Sequence, residues 1–335
     1  MLVNIEQDVL LPWQMDLWAH FASRLNQLPH ALLFYGQKGI GKNQFAKKLI
    51  HTLCCENKTA CDHCRGCQLF SAGTHPDCFT LSPEGASQQI RIDAVRDAVE
   101  FVQTSPLIGQ YKIILIYPAN AMNAFSANAL LKTVEEPPEN TLFILICDDH
   151  IGMPATVVSR CQKFFFETPD RNKALGWLKA ELPDQSEAHL SKALAAVAGA
   201  PLLAREVLNN GLFEKQTAFY ADLSEIGLQQ SDAVKLAEKW SSKDISATIP
   251  LRQCLDWLFV WLRAVLLFQL TKQPNELPIE KSQHFTQLSN KISREGLMDY
   301  VIYLQKTCSA LNLSQSLNRQ LVIEDLFIRW VQLCS

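Results

Sequence analysis

Apolar positions fall into two textures along the chain. In the first half, short near-continuous runs such as Ala31-LLFY, Lys112-IILIY and Thr141-LFILIC alternate with stretches whose apolar residues recur every three or four positions. Runs of that length read as strands buried on both faces, and the stretches between them as amphipathic helices. Trp13, Leu17, Phe21 and Leu25 predict a helix before the first strand, and Phe45, Leu49 and Leu53 one after it. Phe79 and Leu81 continue the strand pattern. Asp93 is placed to N-cap a helix carrying Val95, Val99 and Val102. A further helix ends at the double proline Pro137-Pro138, and Phe164 to Phe166 predict the last strand.

From Asp170 the texture changes to short helices broken at Pro183, Gly199 to Pro201 and Asn209 to Gly211. Beyond about residue 210 only the helical period remains. Trp240, Trp257, Trp261 and Trp330 are the expected core anchors, and Leu313, Leu317, Leu321, Ile328 and Val331 mark one last helix over Leu313 to Leu333. Strands and helices first, helices alone afterwards, predict a parallel α/β domain followed by helical domains.

The stretch Ala31 to Gln44, ALLFYGQKGIGKNQ, runs strand, glycine loop, helix. Gly36, Gly39, Gly41 and Lys42 match a phosphate-cradling loop, in which backbone N–H groups at a helix N-terminus face an anion and the lysine reaches the outer phosphates. The residue after the lysine should carry a hydroxyl for Mg²⁺, and here it is Asn43. The strand after Lys112 should end in acids that hold the metal and orient water; here it ends in Tyr117-Pro118. Neither residue can accept a proton from water or bind a hard cation. The loop geometry is therefore expected without its chemistry.

Cysteine supplies the second chemical signal. Cys61, Cys64 and Cys67, in CxxCxxC spacing, can surround one tetrahedral ion as thiolates, with Zn²⁺ the natural occupant and the fourth ligand open between Cys54 and Cys55. His63 and Cys78 are outside candidates for that place. With four protein ligands the ion would be structural. The adjacent carboxylates Glu135-Glu136 do not face one another on a helix and read as a solvated helix end.

Composition narrows the classes. A length of 335 residues suits two or three domains, and 48% hydrophobic with 19% charged residues permits a large core. A formal net charge of −3 without a basic block argues against strong nucleic-acid binding by the chain alone. The start, MLVNIEQDVLLPWQ, does not read as a secretory signal. Eleven cysteines point to metal or buried thiols rather than disulfides. Leu251 to Leu270 is apolar, but Arg252, Asp256 and Arg263 make it a bundle helix rather than a membrane span.

Taken together, GQKGIGK, CRGCQLF, AGTHPD, IRIDAVR, NALLKTVEEPP, the Ser159-Arg160-Cys161 triplet and NRQLVIEDLFIRW are similar to the delta-prime family of the bacterial DNA polymerase III clamp loader, a branch of the AAA+ proteins. The resemblance covers nearly the whole chain. It implies an AAA+ α/β core over residues 1–168 with a zinc module near 54–78, a small helical lid over 169–208 and an all-α collar domain over 209–335. It implies that Arg160 acts in trans as an arginine finger on ATP held by a neighbour. Counting from Gly41 as the family does favours Cys55 beside Cys61, Cys64 and Cys67 as zinc ligands, while the short gap to Cys61 keeps Cys54 open. The arginine that hydrolysing relatives carry after the lid glycine is missing from Gly199-Ala200-Pro201-Leu202-Leu203. The implied role is a non-hydrolysing subunit, with an ATP-hydrolysing clamp-loader subunit of the same family as the alternative. Its implied partners are the gamma/tau ATPase subunits and delta, with the sliding clamp and primer-template DNA met through the complex in the cytoplasm. Because Gly41 and Lys42 are kept, nucleotide binding without turnover stays open.

Overall fold

The computed structural model describes residues 9–83, 89–148, 153–272, 283–313 and 318–334. The chain divides into two compact units, one of residues 1–181 with 199–203, the other of residues 182–198 with 204–335.

The first unit is built on a five-stranded, wholly parallel sheet. Its strands are β1 (Ala31–Tyr35), β2 (Cys78–Leu81), β3 (Lys112–Ile116), β4 (Thr141–Cys147) and β5 (Gln162–Phe165), ordered β2-β3-β4-β1-β5. Each of the three apolar runs forms a strand, and β3 and β4 are buried at every position. Parallel strands need crossovers, and those here carry α2 (Lys42–Cys54), α3 (Arg65–Ser71), α4 (Ile92–Phe101), α5 (Ala124–Glu135) and α6 (Ala155–Val158). They follow α1 (Met15–Ala22), which itself follows a 3₁₀ turn at Pro12–Gln14.

Residues alternate across each strand, so β1 feeds two cores. Ala31 and Leu33 pack with Ile114, Phe143 and Leu145 under α4 and α5. Phe34, on the other face, meets an aromatic cluster in which Phe21, Phe45, Phe164 and Phe166 lie with ring centroids 4.8–6.0 Å apart, mostly edge to face.

Two local expectations change. Asp93 lies inside the first turn of α4, whose N-cap is Arg91; a carboxylate there still complements the positive end of the helix. The last strand runs Gln162–Phe165, and Phe166, just past it, donates its N–H to Tyr35 O at 2.8 Å while its ring joins the aromatic cluster.

α7 (Arg171–Glu181) belongs to the first unit. The second is helical throughout: α8 (Glu187–Ala196), α9 (Pro201–Asn209), whose first residues belong to the first unit, α10 (Leu212–Gly227), α11 (Ala233–Ser241), α12 (Lys243–Thr248), α13 (Leu251–Thr271), α14 (Gln283–Lys291), α15 (Arg294–Leu313) and α16 (Arg319–Cys334). The four expected tryptophans are all in its core. α13 is the one helix among the described residues long and apolar enough to cross a membrane, and Trp257, Trp261, Leu262 and Val265 bury it in the bundle. Several of its buried polar groups are paired. The Asp222 carboxylate accepts from Trp240 Nε1 at 2.7 Å and Lys239 Nζ at 2.6 Å, and Trp330 Nε1 donates to Leu223 O at 2.9 Å. Arg319 donates to the carbonyls of Trp240 and Ile249, tying the start of α16 to the ends of α11 and α12.

The single helix expected over Leu313 to Leu333 is two elements. α15 ends at Leu313 and α16 begins at Arg319, while the anchor Leu317 lies outside the described residues. Leu321 and Ile328 are exposed, and Ile323, Leu326, Phe327 and Trp330 form the buried stripe instead. Those four recur at three- and four-residue steps and so share one helical face.

Asp77, in the AGTHPD stretch, is fully buried and holds the turn after α4. Its carboxylate accepts from the N–H groups of Leu107, Ile108 and Gly109 at 2.7–2.9 Å and pairs with buried Lys112 at 3.1 Å. Burial works against its charge, but these three N–H donors and Lys112 outweigh it and hold its pKa below the usual carboxylate value. The folded pKa lies below the unfolded one, near ~3.9, so this stabilisation is present above that value and is lost as pH falls through the folded pKa. Asp77→Ala leaves Lys112 charged and buried. It is expected to lower the unfolding free energy of the sheet unit by about 3–5 kcal/mol in a urea titration, and a loss below about 1 kcal/mol would contradict the burial argument.

Candidate nucleotide loop, cysteine cluster and exposed arginine

The loop after β1 has the backbone its glycines predict. Gly36, Gly39 and Gly41 all have positive φ, and Gly41, at φ 98°, is the N-cap of α2. A Cβ at Gly36 would lie 2.3 Å from the carbonyl oxygen of Phe166, and one at Gly41 2.3 Å from Leu11 Cδ1. Only glycine fits either place.

Lys42 opens α2 and is buried. Its ammonium donates to Gly36 O at 2.6 Å, to Gln37 O at 2.7 Å and to Asp148 Oδ1 at 2.8 Å. An ammonium has three protons, so those bonds use all of them. Register explains the meeting: Tyr35 pairs with Cys147 across β1 and β4, which sets the residues leaving both strands side by side. Asp148 was not among the residues singled out from sequence. Its signal was an acid following directly on the buried strand Thr141 to Cys147.

The loop is held from two further directions. On one side Gln14 Nε2 donates to Gly41 O at 2.8 Å and Trp13 Nε1 to Ile40 O at 2.9 Å. On the other, the Leu202 N–H donates to Gly39 O at 3.0 Å. Leu203, rather than a cation, stands over Gly39. Asn43 follows the lysine, and Tyr117-Pro118 follows β3, as the sequence states. Tyr117 donates its N–H to Leu81 O at 3.0 Å. The edge thus presents a glycine loop whose lysine is paired from within the chain.

The four cysteines Cys55, Cys61, Cys64 and Cys67 converge. Their sulfurs lie within 4.8 Å of one another, with Cys61 to Cys67 at 3.9 Å and Cys55 to Cys64 at 4.0 Å, so the set can hold one metal ion. Cys55 rather than Cys54 lies with the other three: Cys54 is the last residue of α2, and Cys55 follows it in extended backbone. His63 is exposed and outside it, and Cys78 pairs with Cys54.

The donor set suits a cation in detail. Burial opposes ionisation of Cys55, yet the N–H groups of Cys61, Thr59 and Asn57 outweigh it and pull the thiol down to about 5. The N–H groups of Cys67 and Glu56 lower Cys64, whereas burial raises Cys67. Lys58, Ala60 and Asp62 in the intervening loop have φ of 55°, 51° and 64°. Left-handed backbone is costly for such residues, about 1–2 kcal/mol each.

Arg160 follows α6 on the surface, its side chain about one-third exposed. It donates to Thr156 O at 2.7 Å and pairs with Glu135 at the end of α5. Glu135 and Glu136 are both exposed at the end of α5, as expected, and Glu135 in addition pairs with Arg160, a contact the sequence does not reveal because a strand separates the two helices in the chain. Arg160 lies apart from Lys42 in the sequence order of the sheet, at the entry to β5 rather than at the strand ends that carry the loop.

Comparison with known proteins follows the same division. Residues 13–170 match the family described as DNA polymerase III, delta subunit, and residues 210–332 its C-terminal region. The chain is 36% identical to DNA polymerase III subunit delta' of Pseudomonas aeruginosa, covering 97% of this chain and 98% of that one. It is 28% identical to the Haemophilus influenzae subunit delta', covering 96% and 97%. With Escherichia coli subunit tau it shares 34% identity over 52% of this chain and 27% of that one. Identity at that level, sustained along nearly the full length of both sequences, shows that the chain belongs to the DNA polymerase III delta-prime subunit family.

Proposed function

We propose that this chain is a non-hydrolysing subunit of the DNA polymerase III clamp loader. It works beside gamma/tau ATPase subunits and delta in the cytoplasm, within the replisome on the nucleoid, and helps place the sliding clamp on primer-template DNA. The observation that carries the first part is the ammonium of Lys42, fully bonded to Gly36, Gln37 and Asp148. Asn43 in place of a hydroxyl, Tyr117-Pro118 in place of acids and the lack of an arginine in Gly199-Ala200-Pro201-Leu202-Leu203 support the same reading. The functional modules are then the AAA+ core of 1–168, the lid of 169–208 and the collar of 209–335.

In this reading Arg160 is the residue that acts catalytically, on ATP bound by the adjacent subunit. Its partial exposure and its pairing with Glu135 support the role, since the guanidinium is held at the surface rather than buried in the core. A cationic fork brought to a transferring phosphoryl group stabilises the charge that spreads over its oxygens. Zn²⁺ on Cys55, Cys61, Cys64 and Cys67 would be structural, fixing the knuckle between α2 and α3.

In a reconstituted loader, Arg160→Ala is expected to slow hydrolysis at the neighbouring site by about 10³-fold or more while assembly, followed by gel filtration, is kept; an unchanged rate removes the finger. Asp148→Ala takes a carboxylate out of the anion's seat. It should strengthen nucleotide binding to the isolated chain about tenfold in equilibrium titration without creating turnover. Lys42-dependent turnover by the wild-type chain would overturn the non-hydrolysing assignment. Cys61→Ser should release the cluster's zinc and increase amide exchange across residues 55–67, while leaving the helical unit protected.

A further inference from the structure

A second convergence of metal-binding side chains lies beside the four-thiol cluster and takes no part in it. Cys54, the last residue of α2, and Cys78, the first of β2, bring their sulfurs to 3.2 Å, and a ring nitrogen of His75 lies within 4.8 Å of both. Both are free thiols.

Three features bear on what this group can do. The first is an unmet bonding need: His75 is 5% exposed, and its Nε2 is buried with no hydrogen-bond partner among the described residues. A polar nitrogen in that state is unfavourable, and such groups in folded proteins commonly have an ion or water as partner. The second is the donor set. Two thiols and an imidazole suit Zn²⁺ or another thiophilic ion, and the absence of carboxylates from the trio argues against Mg²⁺ or Ca²⁺. The third is rigidity: the Asp77 N–H donates to His75 Nδ1 at 3.2 Å, and the Asp77 carboxylate is itself fixed by three N–H groups and Lys112. The turn that carries His75 into β2 is thereby held in place before any ligand arrives.

We propose that Cys54, His75 and Cys78 form a second metal site, separate from the Cys55 cluster, that takes one Zn²⁺ with three protein ligands. The adjacent residues Cys54 and Cys55 then serve different ions. Loading releases the two thiol protons to solvent and leaves two thiolates on the metal. The sulfurs spread from 3.2 Å toward roughly 3.8 Å, the separation that Zn–S bonds of about 2.3 Å require at a tetrahedral angle. The neutral imidazole gives one lone pair to the ion and keeps its proton on the other nitrogen, so the Asp77 N–H contact at Nδ1 is given up. That bond is at the long end of the hydrogen-bond range. Cys78 is partly exposed, so a water molecule can complete the fourth position.

The test uses the full chain, reduced and handled without oxygen, brought to equilibrium with ZnCl₂ by dialysis and counted for bound zinc by elemental analysis. The wild type is expected to hold two ions per chain, and Cys78→Ser one. His75→Ala should lose the same ion as Cys78→Ser, whereas Cys61→Ser should lose the other, so failure of this site is distinguishable from failure of the cluster. Retention of the cluster's zinc by Cys78→Ser also shows that the variant folds. A wild type that holds one ion, with Cys78→Ser unchanged from it, overturns the proposal. So does a wild type whose mass is short of two hydrogens in a peptide joining Cys54 to Cys78, which would make the pair a disulfide.

Discussion

The placement of β1 governs the first unit. Because it lies between β4 and β5 and is buried on both faces, its end must meet the end of β4, and the loop that follows has little room to vary. Phe166 presses its carbonyl against Gly36, Leu11 and Gln14 close over Gly41, and Leu203 stands over Gly39. A side chain on either Gly36 or Gly41 would collide with its neighbours. The same packing that forms a phosphate cradle therefore brings Asp148 to Lys42 and fills the ammonium's hydrogen-bonding capacity.

Much of this was legible beforehand. Strands buried on both faces announce themselves as apolar runs, so Thr141–Cys147 was read with its bounds intact. The glycine spacing shows the loop, and CxxCxxC shows three of the four converging thiols. What is not legible there has a common origin in contacts made across sequence distance. Asp148 meets Lys42 and Arg160 meets Glu135 only after the sheet has formed, and nothing local marks either acid as a partner. The stripe of α16 differs for another reason. Leu321 and Ile328, seven residues apart, do share one face of the helix, but apolar residues occupy more than one face and the core takes the one with Ile323, Leu326, Phe327 and Trp330.

The AGTHPD stretch joins recognition to construction. Asp77 organises the turn at Leu107 to Gly109 and neutralises Lys112, while His75 faces the thiols of Cys54 and Cys78. A motif useful for identifying the family thus has ordinary structural work in this chain, with carboxylate–amide bonds and a buried ion pair linking the edge strand to the next crossover. The helical unit does the same in part, since the indoles of Trp240 and Trp330 find partners in the Asp222 carboxylate and the Leu223 carbonyl.

The knuckle between α2 and α3 holds three non-glycine residues in a backbone shape that they rarely choose. Thiolates gathered on a cation would act on that segment as a clasp acts on a bent spring. Opening the clasp would do more than vacate a binding place: the recoil would carry Lys58, Ala60 and Asp62 to other conformations. Reassembly would then have to begin by bending the chain again, so the apo form would be a differently shaped peptide awaiting capture rather than an empty receptacle.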